Sequence, residues 1–378
     1  MLHKFIAPLA LALAACGAAQ AGDKGVTATE IRLGASAVLS GPLGPQTLDY
    51  GQGSRLYFDA VNAAGGVHGR QISYQTLDDG FDVKRAVDNT RKLIEEDNVF
   101  MIYNNSGTAH TGAILPLLQD SRTIAFGPIT GASVFRDKFH PFLFHVRASY
   151  ANEARRIVSQ LRQTGITRVA VFYQNDPFGK TLLAELKAAA QAEQLPLLAE
   201  IQVDPKQPDF KAAAEATEKA RPQAVLMGTG GTTFPNYVKA VLQTSVKPSF
   251  YGFSVASVDV ITRELKEQAR GIVLAQIMPS LRNSSVPVVA EYLRLLRERA
   301  PEAQPSASQF EGFVHARLLV EGLRRAGRNL STDSFIKAME GAGEFSFGRF
   351  VAKYGPGNHN GSNYVELAII DNAGQLRY

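Results

Sequence analysis

Two α/β units of similar size, each a parallel sheet with helices on both faces, are what this sequence predicts. Three observations lead there. At 378 residues the chain exceeds what one hydrophobic core usually serves. Short β-branched runs alternate with amphipathic helical stretches, the rhythm of βαβ crossovers. That rhythm runs twice, with the break after Arg147.

The first series opens with a strand at Ile31 to Ala35 and a helix over Tyr50 to Ala63, whose Leu56, Tyr57, Ala60 and Val61 share one face. Gly65-Gly66 ends that helix. Strands at Gln71 to Leu77, Val99 to Tyr103 and Thr123 to Phe126 alternate with helices at Val83 to Ile94 and Thr108 to Gln119. The second series has helices at Tyr150 to Gln163, Thr181 to Ala192, Phe210 to Lys219 and Phe234 to Gln243. Its strands are Arg168 to Tyr173, Leu198 to Val203, Ala224 to Met227 and Ser249 to Gly252. Three further helices (Val288 to Arg299, Ser308 to Arg325, Thr332 to Gly341) break the rhythm and are expected to return to the first unit. The chain then ends in an extended Tyr364 to Ile370.

The N-terminus has the form of an export signal: Lys4, then an apolar run from Phe5 to Ala15. Ala19-Gln20-Ala21 is an A-x-A cleavage site, and cleavage there, removing residues 1–21, is the expectation. Leu13-Ala14-Ala15-Cys16 also fits a lipobox, which leaves lipid anchoring through Cys16 as the alternative. Either product lies outside the cytoplasm. Cys16 is the single cysteine, so disulfides, cysteine-ligated zinc and a cysteine nucleophile are excluded from the folded part. Charges are mixed along the helices despite a net +5, with no basic tract interleaved with aromatics, so nucleic acid is not an expected partner.

Ligands of open α/β sheets sit beyond the carboxyl ends of strands. Three loops there are rich in small polar residues. Tyr103-Asn104-Asn105-Ser106-Gly107-Thr108 opens a helix and can offer amides and hydroxyls to a carboxylate. Helix capping by Ser106 or Thr108 is the alternative use of the same residues. Gly127 to Ser133 has the same character, and so does Gly228 to Thr233, which lacks the lysine of a phosphate-binding loop. No G-x-S-x-G elbow and no H-E-x-x-H occurs, and the histidines are scattered. Asp78-Asp79 reads as a solvated turn or helix-dipole partner, since further oxygen ligands at fixed spacing are missing.

Several segments together resemble the branched-chain-amino-acid-binding family of type I periplasmic binding proteins. They are Leu39 to Gly44, Val61-Asn62-Ala63-Ala64-Gly65-Gly66-Val67-His68-Gly69-Arg70, Leu77 to Val87, Val171 to Gly179, and Phe310-Glu311-Gly312-Phe313. The resemblance implies two Rossmann-like lobes joined by three hinge crossings, with lobe 1 over 28–148 plus 277–350 and lobe 2 over 149–276 plus 351–378. It implies a monomeric, non-enzymatic receptor that captures an amino acid or a related small carboxylate between the lobes and delivers it to the membrane permease of an ABC importer, with no cofactor or metal. A ligand-sensing receptor subunit of the same fold is the rival reading; an exported hydrolase is a more distant one.

By the same resemblance Thr108, with Ser106 and Gly107, takes the ligand carboxylate. Ile129, Thr130 and Gly131 hold the amino group, and Tyr150 and Tyr173 are expected either as apolar walls or as packing residues. Gly230 stands where relatives have an aromatic side chain. Ser254 stands where amino-acid binders place a glutamate for the ammonium, so either the ligand has no amine or another acid replaces that glutamate.

Overall fold

A computed structural model of the protein describes residues 23–41 and 43–378. The export signal, both of its exits and Cys16 lie outside the described residues. The first sheet runs β2-β1-β3-β4-β5, all parallel. Its strands are β1 (Glu30–Ala37), β2 (Gln71–Asp78), β3 (Met101–Tyr103), β4 (Ile124–Phe126) and β5 (Leu143–Phe144). Helices α1 (Gly44–Ala63), α2 (Val83–Glu95) and α3 (Thr108–Ser121) connect them. α1 begins earlier than its apolar periodicity suggested, because Pro45 sits in its first turn, where no intrahelical hydrogen bond is lost.

After α4 (Tyr150–Gln163) the second sheet is built from β6 (Val169–Gln174), β7 (Leu197–Val203), β8 (Ala224–Gly228), β9 (Ser249–Gly252) and β10 (Val273–Gln276). Between them run α5 (Pro177–Ala192), α6 (Phe210–Ala220), α7 (Thr233–Leu242) and α8 (Val258–Leu265). Fully buried Val169, Ala170, Val171 and Phe172 on β6 show why a strand covered on both faces carries a continuous apolar run.

The chain then returns to the first lobe with α9 (Pro287–Arg299), α10 (Ala307–Ala326) and α11 (Thr332–Gly341). α10 packs along α1 so closely that a Cβ on Gly53 would lie 1.7 Å from the Gln309 carbonyl oxygen, and one on Gly312 would lie 2.0 Å from that of Tyr50. β11 (Glu344–Phe347), β12 (Phe350–Gly355) and β13 (Asn358–Gly361) form a separate antiparallel sheet. The last strands, β14 (Glu366–Ile370) and β15 (Leu376–Arg377), add antiparallel to β10 at the edge of the second sheet.

The passages between the lobes therefore lie at 145–149, 277–286 and 362–365. The third is later than the expected 350: β12 pairs with β11 and β13 with β12, and Phe350, Ala352 and Tyr354 are buried in the first lobe's core beside Phe144 and Phe345. β11 and β12 alternate in burial, but at four and six residues they are too short to announce that sheet.

Candidate functional site

A cleft opens between the lobes, and nearly all of its wall follows the carboxyl end of a strand. The first lobe contributes Val38 and Leu43 after β1, Phe81 after β2, Ser106, Gly107 and Thr108 after β3, and Ile129 after β4. The first turns of α1 add Gln46, Thr47 and Tyr50. The second lobe brings Tyr150 at the start of α4, Phe178 after β6, Gly230 after β8 and Val255 after β9. The space between them is small, about 70 Å³, and no ionisable acid or base other than the two tyrosines lines it among the described residues.

The polar end of the cleft is the N-terminus of α3. Gly107 is its N-cap with φ 99°, and no side chain caps it. A Cβ at Gly107 would lie 2.4 Å from His110 Nδ1, so glycine is required by both conformation and space. Ser106 Oγ instead accepts from the Val38 amide (3.2 Å), and the Thr108 hydroxyl pairs with that of Thr130 (2.9 Å). Capping, the alternative use of these residues, is thus not realised. The first-turn amides and the helix dipole face the cleft without a side-chain acceptor. The β4 loop is zipped to the β3 loop by Ile129 N–H donating to the Asn105 carbonyl (2.8 Å), which brings Ser106, Thr108 and Ile129 to one wall.

Four of the residues read from the sequence do not line the cleft. Thr130 sits behind Thr108, bonded to it. Gly131 packs under the Tyr150 ring, where a Cβ would meet the ring at 2.7 Å, and its carbonyl accepts from the Tyr150 amide. Tyr173 points its hydroxyl to Gln202 Oε1 (3.2 Å) on the neighbouring strand β7. Ser254 belongs to a different constellation. Gly230 does line the cleft, and the room an aromatic side chain would take there is filled from both lobes, since Leu43 Cδ2 and Phe178 Cε1 each lie 4.0 Å from its Cβ position.

Ser254 donates through its amide to Glu153 Oε2 (2.7 Å) and through its hydroxyl to Glu153 Oε1 (3.0 Å), and its hydroxyl accepts from Arg147 Nη2 (2.5 Å). Arg147, wholly buried on the first passage, also lies 3.7 Å from Glu311 Oε1 on α10. His315 Nε2 is 3.6 Å from that same oxygen. Burial works against the Arg147 charge, but Glu311 chiefly, with Tyr150, Tyr50 and Glu153, outweighs it and holds the pKa above the ordinary arginine range. Burial pushes Glu153 up to about 7, against the opposing pull of Arg147 and the Ser254 donors. Burial also brings His315 down to about 3, so it is neutral. This cluster joins both lobes beside the cleft but opens none of its charges into it.

Asp78 and Asp79 are structural. Asp78 accepts from the Leu39 and Gly80 amides and the Ser40 hydroxyl, tying the β1 and β2 loops together. Asp79 is fully buried, not solvated as expected, and accepts from Ser36 Oγ (2.9 Å) and the Phe81 amide (2.9 Å). No group of three or more potential metal ligands occurs among the described residues.

The sequence matches the periplasmic binding protein family over residues 30–375. The chain belongs to that family. It is a substrate-binding protein of the two-lobed import type, not an enzyme. A Brucella melitensis protein, Leu/Ile/Val-binding protein homolog 7, is 20% identical over 86% of this chain and 83% of its own length. Among solved structures, a possible leucine/isoleucine/valine-binding protein from Rhodopirellula baltica superposes with a TM-score of 0.86 at 28% identity, covering 93% of this chain and 97% of that one. An extracellular ligand-binding receptor from Verminephrobacter eiseniae gives the same TM-score, 0.86, at 26% identity over 93% and 100%. No described helix is long and apolar enough to cross a membrane.

Sequence reasoning missed half of the second lobe's wall, Phe178 and Val255, and all of α1's. Val38, Leu43, Phe81, Phe178 and Val255 all follow strand ends, in or beside segments already prominent in the sequence. Applying the strand-end rule to every βα loop, not only to the polar ones, would have found them.

Proposed function

We propose that the solute delivered by this binding protein to its ABC permease is a small, largely apolar carboxylic acid without a free α-amino group, bound outside the cytoplasm. The observation that carries this is the pairing of an uncapped α3 N-terminus with a cleft wall that holds no ionised side chain among the described residues. A carboxylate placed there meets first-turn amides, the helix dipole and the Thr108 hydroxyl, while an apolar body meets Val38, Leu43, Ile129, Phe178 and Val255. An ammonium would meet no counter-charge. Glu153 is engaged by Ser254, and Glu311 faces Arg147; neither lines the cleft. A buried unpaired charge costs several kcal/mol, enough to decide between an acid and its amino derivative.

The name of the Brucella relative speaks for a branched-chain amino acid. This cleft suits that apolar body and not the ammonium. Calorimetry with leucine and 4-methylpentanoate, which differ only in the amine, tests the reading. The acid is expected to bind at least about tenfold more tightly. Equal or tighter binding of leucine would overturn it.

A further inference from the structure

Where the second and third passages meet, the lobes border another and larger concavity, about 610 Å³, that the capture of a solute in the cleft does not use. Four guanidinium groups line it: Arg156, Arg282, Arg349 and Arg377. They come from separate parts of the chain and from both lobes. Arg156 stands on α4 and Arg377 on β15 in the second lobe, Arg349 sits in the β11–β12 turn of the first, and Arg282 lies on the second passage between them.

Two of the four are already paired. Arg349 meets Glu366, the one acidic side chain on the wall, at 3.2 Å, and Arg377 meets Asp371 at 2.5 Å. Arg156 and Arg282 have no carboxylate within ion-pair distance among the described residues, and the hydrogen bond of the Arg156 side chain goes to Gln160 Oε1 at a long 3.4 Å. The Tyr364 hydroxyl, buried in the same wall, has no hydrogen-bond partner. Like charges are not gathered in a concave surface without cost, since each raises the energy of the others.

We infer that this groove is a second ligand site, for a multiply charged oxyanion of the phosphate or pyrophosphate type, with Arg156 and Arg282 as its principal contacts. A guanidinium presents a planar fork of donors that matches the oxygens of a phosphoryl group two at a time. Two unpaired forks, one on the second lobe and one on the passage beside it, suit an anion carrying at least two charges, and the volume lies within the range of ordinary small-molecule sites. Because Arg156 stands on the second lobe and Arg349 on the first, with Arg282 on the passage between them, occupancy of the groove is linked to the angle between the lobes.

The test is calorimetric titration of the full-length mature protein with pyrophosphate at constant ionic strength, repeated on the Arg156→Gln/Arg282→Gln double variant. Co-sedimentation with phosphatidylglycerol vesicles distinguishes a lipid headgroup from a free oxyanion. Saturable pyrophosphate binding that weakens about tenfold or more in the variant supports the site, whether or not vesicles also bind through the same arginines. Absence of saturable binding in both assays overturns it, and so does binding that the double variant leaves unchanged. The variant's melting temperature, measured alongside, shows that the fold is kept; if it is not, Arg156→Lys and Arg282→Lys, which retain charge but lose the fork, must weaken binding for the inference to stand.

Discussion

The cleft and the ionic cluster beside it are built from neighbouring residues with opposite chemistry. Val255 faces the cleft, whereas Ser254 bonds to Glu153 and Arg147. Tyr150 lines the cleft, while Arg147 before it and Glu153 one turn after it belong to the cluster. The cleft offers backbone donors and apolar side chains; the cluster contains buried charges that answer one another across the lobes. The difference teaches that the charge which organises the hinge is kept apart from the chamber that selects the solute, so stability and specificity should respond to different substitutions.

The largest effect that would break this separation is expected from Arg147→Met. Removing one partner of a buried ionic group leaves the others uncompensated, at about 3–5 kcal/mol. Urea unfolding should register that loss, while the preference for 4-methylpentanoate over leucine is kept in whatever fraction folds. A reversal of that preference would show that the cluster does reach the ligand.

Next comes pH. Glu153 has a folded pKa of about 7, above its ordinary 4.5. The folded chain therefore holds a proton that the unfolded chain has already released. The stability this confers is complete below about pH 4.5 and declines as pH rises towards 7, by about 3 kcal/mol at most. Glu153→Gln should flatten that part of a stability–pH curve. Buried histidines such as His315, held neutral in the fold, add a rise with pH that both proteins share. A difference between the two curves that stays constant from pH 4.5 to 7 would therefore contradict the assignment.

Thr108→Val acts on the other side of the comparison. Loss of one charge-assisted hydrogen bond, roughly 1.5–3 kcal/mol, should weaken 4-methylpentanoate about ten- to a hundredfold by calorimetry, with a modest fall in melting temperature because the buried Thr130 hydroxyl loses its partner. The smallest effect is expected of Val255→Ala in the second lobe's wall. Two buried methyl groups are worth about 1–2 kcal/mol, an affinity loss of roughly tenfold. If Val255→Ala costs more than Thr108→Val, the apolar wall and not the helix terminus dominates capture.

The order of strands and helices was legible because period and composition agreed. The buried first four residues of β6 read as an unbroken apolar run, and α4 and α11 have the bounds their patterns predict. The polar end of the cleft was legible too, because Ser106-Gly107-Thr108 is local in sequence and its glycine sits at positive φ. What escaped depends on contacts between distant residues. Ser254 could be recognised as a departure from a family pattern, but not as a bridge between Arg147 and Glu153, more than a hundred positions away. Phe178 and Leu43 fill the space beside Gly230 from opposite lobes, which no local pattern encodes. The antiparallel β11–β13 sheet was missed because its strands are short and its turns break the alternation.

The interleaving of the lobes bears on when the protein can fold. α1 needs α10, whose side chains and carbonyls meet it across some 258 positions, as in Ser54 Oγ donating to the Gly312 carbonyl. The first lobe's core is incomplete until Tyr354 arrives, and the second sheet waits for β14 and β15 at the very end of the chain. Neither core can close around a partial chain, and loop closure over such distances makes folding slow. A nascent chain of this kind stays without a closed core until almost its last residue is made.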